Sequence, residues 1–473
     1  MHFRQRYRRL AAWISAACLL ACAAACSGSA SSEKDESIPK EEEASMSGYD
    51  QLFSALDRSP ITNRWGKVKP QPLAVDTVTV FSAEPGAQYN HHPQITAWRG
   101  RLYATWSSGL IHEDFPGQQM VMAVSEDGGN SWSNPTVVAG SAIGGQPGVV
   151  TNAGIHPFED TMVAYYSYYR YDEQGMQLLE DYTDSRSPLP EQLDAHTGIR
   201  ISRDRGETWS EPAGRIDRLT ANLCPQRLQN GRLLLPGHAT FFTTDDPLGL
   251  TGWERGSLPG VPAGYTDSPN GLYAAAQAMK LEGVAFCEAS CYQTADGVIH
   301  MMLRTLIDAD RISPNPYVLA VSESRDQGKS WSKPMLTQFS DCGSKCQFGT
   351  LPDGRYFCIS CPQPGSGRTP LVLALSEDGV VFDQQFIIGS DKEHPPRYPG
   401  RHKGGLYGYP TCAVSGDILP GKRRYRRQQD SFGGSSLITN TPAGLLKQAG
   451  WCCKNAEKIP AAFYLVSTQQ TFL

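Results

Sequence analysis

One short phrase recurs along the chain and constrains the fold more than any other feature. It reads Ser-x-Asp-x-Gly-x-Ser/Thr-Trp and occupies residues 125–132, 202–209 and 324–331. A degenerate fourth copy begins at Ser376 and has Phe382 where the others have tryptophan. The Asp side chain caps its own turn, the Gly tolerates a positive φ, and the aromatic ring closes the turn over an apolar strand end. Repetition at such intervals predicts one large repeat fold rather than several unrelated domains.

A second element recurs between these phrases, namely a tight turn followed by an apolar strand. It begins at Arg99, Asn230, Asp296 and Asp353, each of which precedes a glycine. Asn-Gly and Asp-Gly favour hairpin turns, so each site marks two antiparallel strands. No amphipathic helix pattern of about 10–15 residues separates the units, which argues against a parallel α/β sheet. Hairpin, strand, phrase and strand make a four-stranded blade, and blades in series predict an all-β fold, a six- or seven-bladed β-propeller.

Composition agrees with this fold class. The 473 residues include 46 Gly and 33 Pro, with 40% hydrophobic and 10% aromatic residues, as expected for many short strands around a large core. The formal net charge of −5 gives no reason to expect a nucleic-acid partner.

The N-terminus has the pattern of a targeting segment. Arginines at positions 4, 6, 8 and 9 precede an apolar stretch over residues 10–25, and small residues then lead to a cysteine. The pattern resembles a bacterial lipoprotein signal peptide over residues 1–26, lipidated at Cys26, because a polar tether begins directly after it. Residues 27–46 are predicted to be a disordered tether. We therefore expect a lipid-anchored protein of the bacterial cell envelope, with a secreted soluble protein as the alternative.

The repeat pattern is expected to fill residues 47–416 and to stop there. Residues 417–473 open with a basic run at 422–427 and offer no convincing strand, so we expect an atypical tail, either frameshifted or disordered. The chain has 13 cysteines, several of them in close pairs. A matching second half of a zinc site is absent from these pairs, so disulfides or buried thiols are expected and no metal ligand is assigned.

The Asp phrases are those of the sialidase superfamily, and the chain resembles its Asp-box (BNR repeat) propellers over about residues 89–412. Four positions are similar to the family's site residues: Glu288 and Tyr409 resemble the base and the nucleophilic tyrosine, and Arg304 and Arg368 resemble two carboxylate-binding arginines. The resemblance is specific for the fold and weak for the reaction, because the phrases lie on the blade perimeter.

The first blade departs from that family. Where sialidases place their first arginine, this chain has His91 and His92, followed by proline. Asp114 resembles the acid/base aspartate, and His112 stands twenty residues after His92. Two histidines at such a separation resemble the propeller-type polysaccharide lyases that act on uronic acids. Adjacent residues on a strand point to opposite faces, so at most one of His91 and His92 is expected to face the pocket.

These observations predict an enzyme that cleaves acidic oligo- or polysaccharides. The preferred reaction is β-elimination at a uronic acid, with His91 or His92 and His112 as base and partner and Tyr409 as proton donor. Hydrolytic exo-sialidase action and a non-catalytic glycan-binding propeller are the alternatives. Weaker candidates for the pocket are Arg227 and His238. No cofactor is predicted, a structural calcium ion stays open, and membrane contact is expected only through the lipid anchor.

Overall fold

The computed structural model describes residues 59–73, 75–143, 146–180, 190–260, 284–307, 316–390, 398, 407–415, 444–448 and 462–468. The predicted signal peptide and tether, with Cys26, lie outside these ranges, as does most of the tail. Within them, no helix has the length and apolar character needed to cross a membrane.

The regular secondary structure of the described residues is almost entirely β-strand. Two early strands, β1 (Gln71–Pro72) and β2 (Thr77–Ser82), join sheets made from much later parts of the chain. Five sheets then follow along the sequence. The first contains β3 (Tyr89–Trp98), β4 (Arg101–Gly109), β5 (Gln119–Ser125) and β6 (Thr136–Ala139). After a ribbon of β7 (Ala142–Ile143) and β8 (Gln146–Pro147), the second contains β9 (Val149–Phe158), β10 (Thr161–Arg170), β11 (Leu193–Ser202) and β12 (Gly214–Asp217).

The next three sheets have the same antiparallel arrangement. The third contains β13 (Gln226–Arg227), β14 (Leu233–Pro236), β15 (Thr240–Thr244) and β16 (Glu254–Ser257). The fourth contains β17 (Val284–Gln293), β18 (Ile299–Ile307), β19 (Val318–Ser324) and β20 (Met335–Ser340). The fifth contains β21 (Gln347–Thr350), β22 (Tyr356–Ser360), β23 (Leu371–Ser376) and β24 (Gln384–Gly389), with β1 added in parallel beside β24. One short helix, α1 (Glu173–Glu180), lies between β10 and β11.

A last sheet joins the two ends of the described chain. Its order is β2, β26 (Gly444–Gln448), β27 (Ala462–Thr468) and β25 (Gly408–Ser415). Thr77 of β2 pairs with Gln448 of β26, so the N-terminal strand completes a sheet made from the C-terminal segment. The expectation that residues 417–473 contain no strand is therefore wrong for β26 and β27. Their pairing is non-local, and pattern reasoning over neighbouring residues does not detect it.

Apolar clusters fill the gaps between successive sheets in a closed ring. Side chains from neighbouring sheets meet in each gap, and the last sheet packs back onto the first, where Val80 and Ala413 contact the cluster of Ala104. The remaining five gaps hold Met120 with Ile155, Val163 with Leu235, Leu234 with Met301, Val321 with Cys358, and Leu373 with Cys412. This ring of antiparallel sheets confirms the predicted β-propeller class.

The Asp phrases lie in the turns between the third and fourth strands of their sheets. In the first copy, Asp127 accepts hydrogen bonds from the Ser131 N–H at 2.9 Å and the Ser125 hydroxyl at 2.9 Å. In the degenerate copy, Asp378 accepts from the Val380 and Val381 N–H groups, each at 2.8 Å. Phe382 is completely buried in place of the tryptophan. The turn thus depends on the carboxylate, and the aromatic position tolerates either ring.

The third sheet carries a further copy of this turn that the sequence search missed. Asp246, between β15 and β16, accepts hydrogen bonds from the N–H groups of Leu248, Leu250 and Thr251 at 2.9–3.1 Å. The indole of Trp253 donates to the Gly249 carbonyl at 2.9 Å, as Trp331 does to its own turn glycine in the third copy. The loop from Asp246 to Trp253 is longer than in the other copies, so it lacks the residue spacing of the phrase, but its hydrogen bonding is the same.

The eight cysteines within the described ranges are free thiols. Six of them are buried, namely 287, 291, 346, 358, 361 and 412. The sequence left disulfides and buried thiols as alternatives, and these six residues are buried thiols. A buried cysteine packs as a small hydrophobe.

Candidate active site

Three side chains from different strands meet at the centre of the candidate site. The Tyr409 hydroxyl, from β25, donates a short hydrogen bond to the Glu288 carboxylate of β17. Arg304 of β18 donates from one guanidinium nitrogen to Glu288 at 2.9 Å and to the Tyr409 oxygen at 3.3 Å. Tyr409 has φ = 53°. This backbone conformation is unusual for a bulky residue and is often found at functional sites. The structure thus brings together three of the residues that the sequence nominated.

The electrostatics of this trio follow from burial and charge pairing. Burial alone would raise the pKa of Glu288, but Arg304, then His238 and the hydrogen bonds from Cys287 and Tyr409, hold it well below its usual range. Burial and the Glu288 charge raise the pKa of Tyr409 well above its usual range. At neutral pH the site therefore holds a carboxylate, a guanidinium and a neutral phenol.

Two more cationic side chains lie over the ring of Tyr409. The Arg368 guanidinium carbon is 5.5 Å from the ring centroid, and the Lys345 ammonium nitrogen is 5.4 Å from it. Lys345 is completely buried beside β21 and donates to the Asn222 carbonyl at 2.7 Å; burial lowers its pKa to about 7. Sequence reasoning missed Lys345, because no motif in the sequence around it marks a site residue.

Both His91 and His92 face Tyr409, which corrects the expectation that at most one could do so. Their ring centroids lie 4.4 and 5.1 Å from the Tyr409 ring centroid and 4.4 Å from each other. The pairing of β3 with β4 shifts register between His91 and Gln94, and His92 has φ = 51°. This bulge breaks the alternation of the strand, so consecutive side chains turn to the same side.

His92 is held by a network of buried polar groups. Its Nδ1 lies 3.2 Å from the Ser107 hydroxyl, and its carbonyl accepts from the Asn152 amide at 2.7 Å. Its Nε2 lies 3.4 Å from a Glu113 carboxylate oxygen, which also accepts from the Tyr89 hydroxyl at 2.7 Å. Burial and the nearby positive charges lower the pKa of His92 to about 3, so its ring is neutral at ordinary pH.

The loop after β4 supplies the next two candidates. His112 Nδ1 lies 3.0 Å from the Glu113 carbonyl, and its ring packs against Phe115 at 5.1 Å. Asp114 accepts a short hydrogen bond from Tyr169. These contacts connect His112 to its own loop and Asp114 to β10.

Arg227 is placed elsewhere. It donates to the backbone carbonyls of Gly231 and Pro247 at 2.9 and 2.8 Å and stacks on Phe158. These contacts brace the edge of the third sheet, so the expectation that Arg227 shares the pocket with Tyr409 is corrected. Arg227 lies in the two-residue strand β13 and is exposed, and the sequence around it did not indicate this position.

Several buried polar atoms at the site have no hydrogen-bond partner among the described residues. They are Nε of Arg304, Nε2 of His238 and Oδ1 of Asp341. Asp341 follows β20, and burial raises its pKa to about 6 even though Arg304 is near. Buried polar groups are normally paired, so three unpaired atoms around one guanidinium are groups that a polar ligand could satisfy.

Residues 100–421 match the family described as the BNR repeat-like domain. No curated protein matches the chain. Solved structures with a similar fold include a Dyadobacter fermentans protein of unknown function, at 15% identity and a TM-score of 0.49, covering 84% of this chain and 99% of that one. The NanB sialidase from Streptococcus pneumoniae has 14% identity and a TM-score of 0.48, with coverages of 84% and 71%. A leech intramolecular trans-sialidase has 13% identity and a TM-score of 0.45, with coverages of 73% and 66%.

The ring of sheets with Asp-capped turns defines a β-propeller of the Asp-box (BNR repeat) type, as the sequence resemblance implied. More narrowly, the chain belongs to the BNR repeat-like domain family, whose model matches more than half of its length. The fold alone does not define an activity, which has to be argued from the site.

Proposed function

We propose that this protein hydrolyses a glycosidic bond of a sugar that carries a carboxylate, with Tyr409 as the nucleophile. One observation carries the proposal: the phenol lies between the Glu288 carboxylate, to which it donates, and the Arg304 guanidinium. A nucleophile, its base and a group that orients the base are the parts of an activated nucleophile.

The charge around Tyr409 supports an anionic substrate. Arg304, Arg368 and Lys345 approach the tyrosine, whereas Glu288 is the carboxylate in direct contact with it. Arginine binds carboxylates in a bidentate way, and the Nε of Arg304 has no partner among the described residues. An incoming carboxylate would satisfy that donor and offset the excess positive charge.

Tyr409, Glu288, a carboxylic acid and water account for every bond and proton of the hydrolysis. The Tyr409 oxygen forms a bond to the anomeric carbon as its proton passes to Glu288, and the bond to the leaving oxygen breaks. That oxygen takes a proton from a carboxylic acid. The resemblance assigns this role to Asp114. Water then attacks the anomeric carbon and breaks the bond to Tyr409. The carboxylate that acted as the acid takes the water's proton, and Glu288 returns its proton to the Tyr409 oxygen.

Elimination at a uronic acid, preferred on sequence grounds, is the second candidate. It is favoured by the two histidine rings packed on Tyr409. The Tyr409 proton, however, is directed at Glu288 rather than at open space, so the phenol is not placed to protonate a leaving group. For this reason we place hydrolysis first.

The two reactions leave different products, so one experiment separates them. The purified protein is incubated in parallel with a sialyl conjugate and with a uronate-containing polysaccharide. We expect free acidic sugar without unsaturated-uronate absorbance, and a glycosyl adduct on the Tyr409 peptide after rapid acid quenching. Unsaturated product with no adduct would overturn hydrolysis in favour of elimination. Binding without either product would support the non-catalytic alternative.

Tyr409→Phe is the key variant, and Tyr407→Phe is its matched control. Tyr407 is also buried but packs in the apolar cluster between the fifth and last sheets. We expect Tyr409→Phe to abolish turnover and the adduct while substrate binding persists. Tyr407→Phe should keep both. Equal activity in the two variants would refute the nucleophilic role.

A further inference from the structure

We propose that His91, His92 and Glu113 form a binding site for one divalent transition-metal ion of the zinc class. Their ligand atoms, one from each residue, all lie within 4.8 Å of one another. Two imidazoles and a carboxylate are a ligand set that suits Zn²⁺ and leaves a coordination position open to a substrate. The role suggested below rests on the proposed function, but the binding itself does not.

The spacing of the ligand atoms fits a shared ion. Tetrahedral zinc at about 2.0–2.1 Å from each ligand separates two ligand atoms by about 3.3 Å. His92 Nε2 and Glu113 Oε1 are 3.4 Å apart. Both histidines are buried, and the bulge at His92 brings their rings to the same side. Small side-chain rotations are therefore enough to close the three atoms around one ion.

Outer contacts hold the ligands in place, as is usual for metal sites. The Tyr89 hydroxyl donates to Glu113 at 2.7 Å, and Ser107 lies against the far nitrogen of His92 at 3.2 Å. Asn152 fixes the unusual backbone of His92 through its carbonyl. These contacts leave the Nε2 of His92 as the nitrogen that faces Glu113.

The location suggests what the ion does. His91 and His92 occupy the position where the resemblance implies the first carboxylate-binding arginine, and both rings contact Tyr409. A divalent ion on this cluster adds the positive charge that the arginine would bring, and its open position accepts a sugar carboxylate. The positive charges of Lys345 and Arg368 disfavour a further cation near Tyr409, whereas the negative charges of Glu113 and Glu288 favour one.

Metal binding can be tested without any substrate. The purified protein is stripped with chelator and titrated with Zn²⁺ in a calorimeter and with Co²⁺ in a spectrophotometer. The same titrations follow for His92→Gln and Glu113→Gln. His196→Gln is the control, since His196 is also a buried strand histidine but lies on β11, bonded to its own strand. Circular dichroism checks that each variant is folded.

We expect one Zn²⁺ per chain, visible Co²⁺ absorption bands typical of nitrogen ligation, and affinity weakened at least about tenfold in both site variants but not in the control. No saturable binding, or equal binding in all four proteins, would overturn the site. The two proposals fail separately. Hydrolysis that survives chelation without loss supports the proposed function and removes the metal's role, whereas tight binding without any hydrolysis keeps the site and refutes the function.

Discussion

Replacing Arg304 by methionine should expose how much the fold depends on the charge pair under Tyr409. The side chains of Glu288 and Arg304 are 4% and 14% exposed and lie 2.9 Å apart. Breaking a buried pair by removing one partner costs about 3–5 kcal/mol, because the remaining charge is buried without compensation. We expect Arg304→Met to lose about 3 kcal/mol of unfolding free energy at pH 7, the low end, because Lys345 still offsets part of the charge.

The pH dependence should change sign. In the natural protein the pKa of Glu288 is lowered on folding, so its contribution is present above the unfolded pKa of about 4.3 and is lost as the pH falls below it. In Arg304→Met, burial without the guanidinium raises that pKa above its unfolded value. The penalty then exists at pH 7 and shrinks as the pH falls toward 5, because the carboxyl becomes neutral.

Urea denaturation followed by tryptophan fluorescence at pH 5 and pH 7 measures both effects. The matched control is the double variant Glu288→Gln with Arg304→Met, which removes both charges and should recover most of the lost stability at pH 7. A single variant within about 1 kcal/mol of the natural protein, or a double variant no more stable than the single one, would refute this reasoning.

Three further predictions concern the scaffold. Asp326→Asn should cost about 1 kcal/mol in urea unfolding, by weakening its turn hydrogen bonds. Because the folded pKa of Asp326 is lowered to about 2, this contribution should be present above about pH 4 and vanish as the pH falls toward 2; an unchanged loss at pH 2 would contradict it. Phe382→Ala should cost about 3–5 kcal/mol by leaving a cavity, and a loss below about 1 kcal/mol would show that the site collapses. Leu446→Pro should lower the melting temperature by breaking the pairing of β26 with β2 and β27, and an unchanged melting temperature would show that this sheet is dispensable.

The propeller could be predicted because its signals are local. In each Asp phrase, the carboxylate bonds to groups within four residues, as Asp127 does to Ser131. Such contacts are encoded in a short window, and their repetition reports the blade. The turn at Asp246 escaped detection because a longer loop changed the spacing, and the closing strand β26 escaped because its partner β2 lies at the other end of the chain.

The candidate site could be predicted only in part. Glu288, Arg304 and Tyr409 were nominated by resemblance, and the structure brings them into contact. Sequence reasoning did not predict that Lys345 places its ammonium group over the Tyr409 ring. It also expected Arg227 in the pocket, whereas Arg227 bonds to the Pro247 carbonyl. Neither position has a distinctive neighbourhood in the sequence, because the residues that define it belong to other sheets.

What the sequence determined by itself is the repeated turn and, through it, the propeller scaffold. What only the tertiary structure decided is the pocket. Tyr409 and Glu288 are 121 residues apart and meet because the sheets close into a ring. His91 and His92 share one face because a register shift and a positive φ break the strand alternation. Local hydrogen bonds fix turns within a few residues, whereas a reactive site needs side chains that only long-range packing brings together.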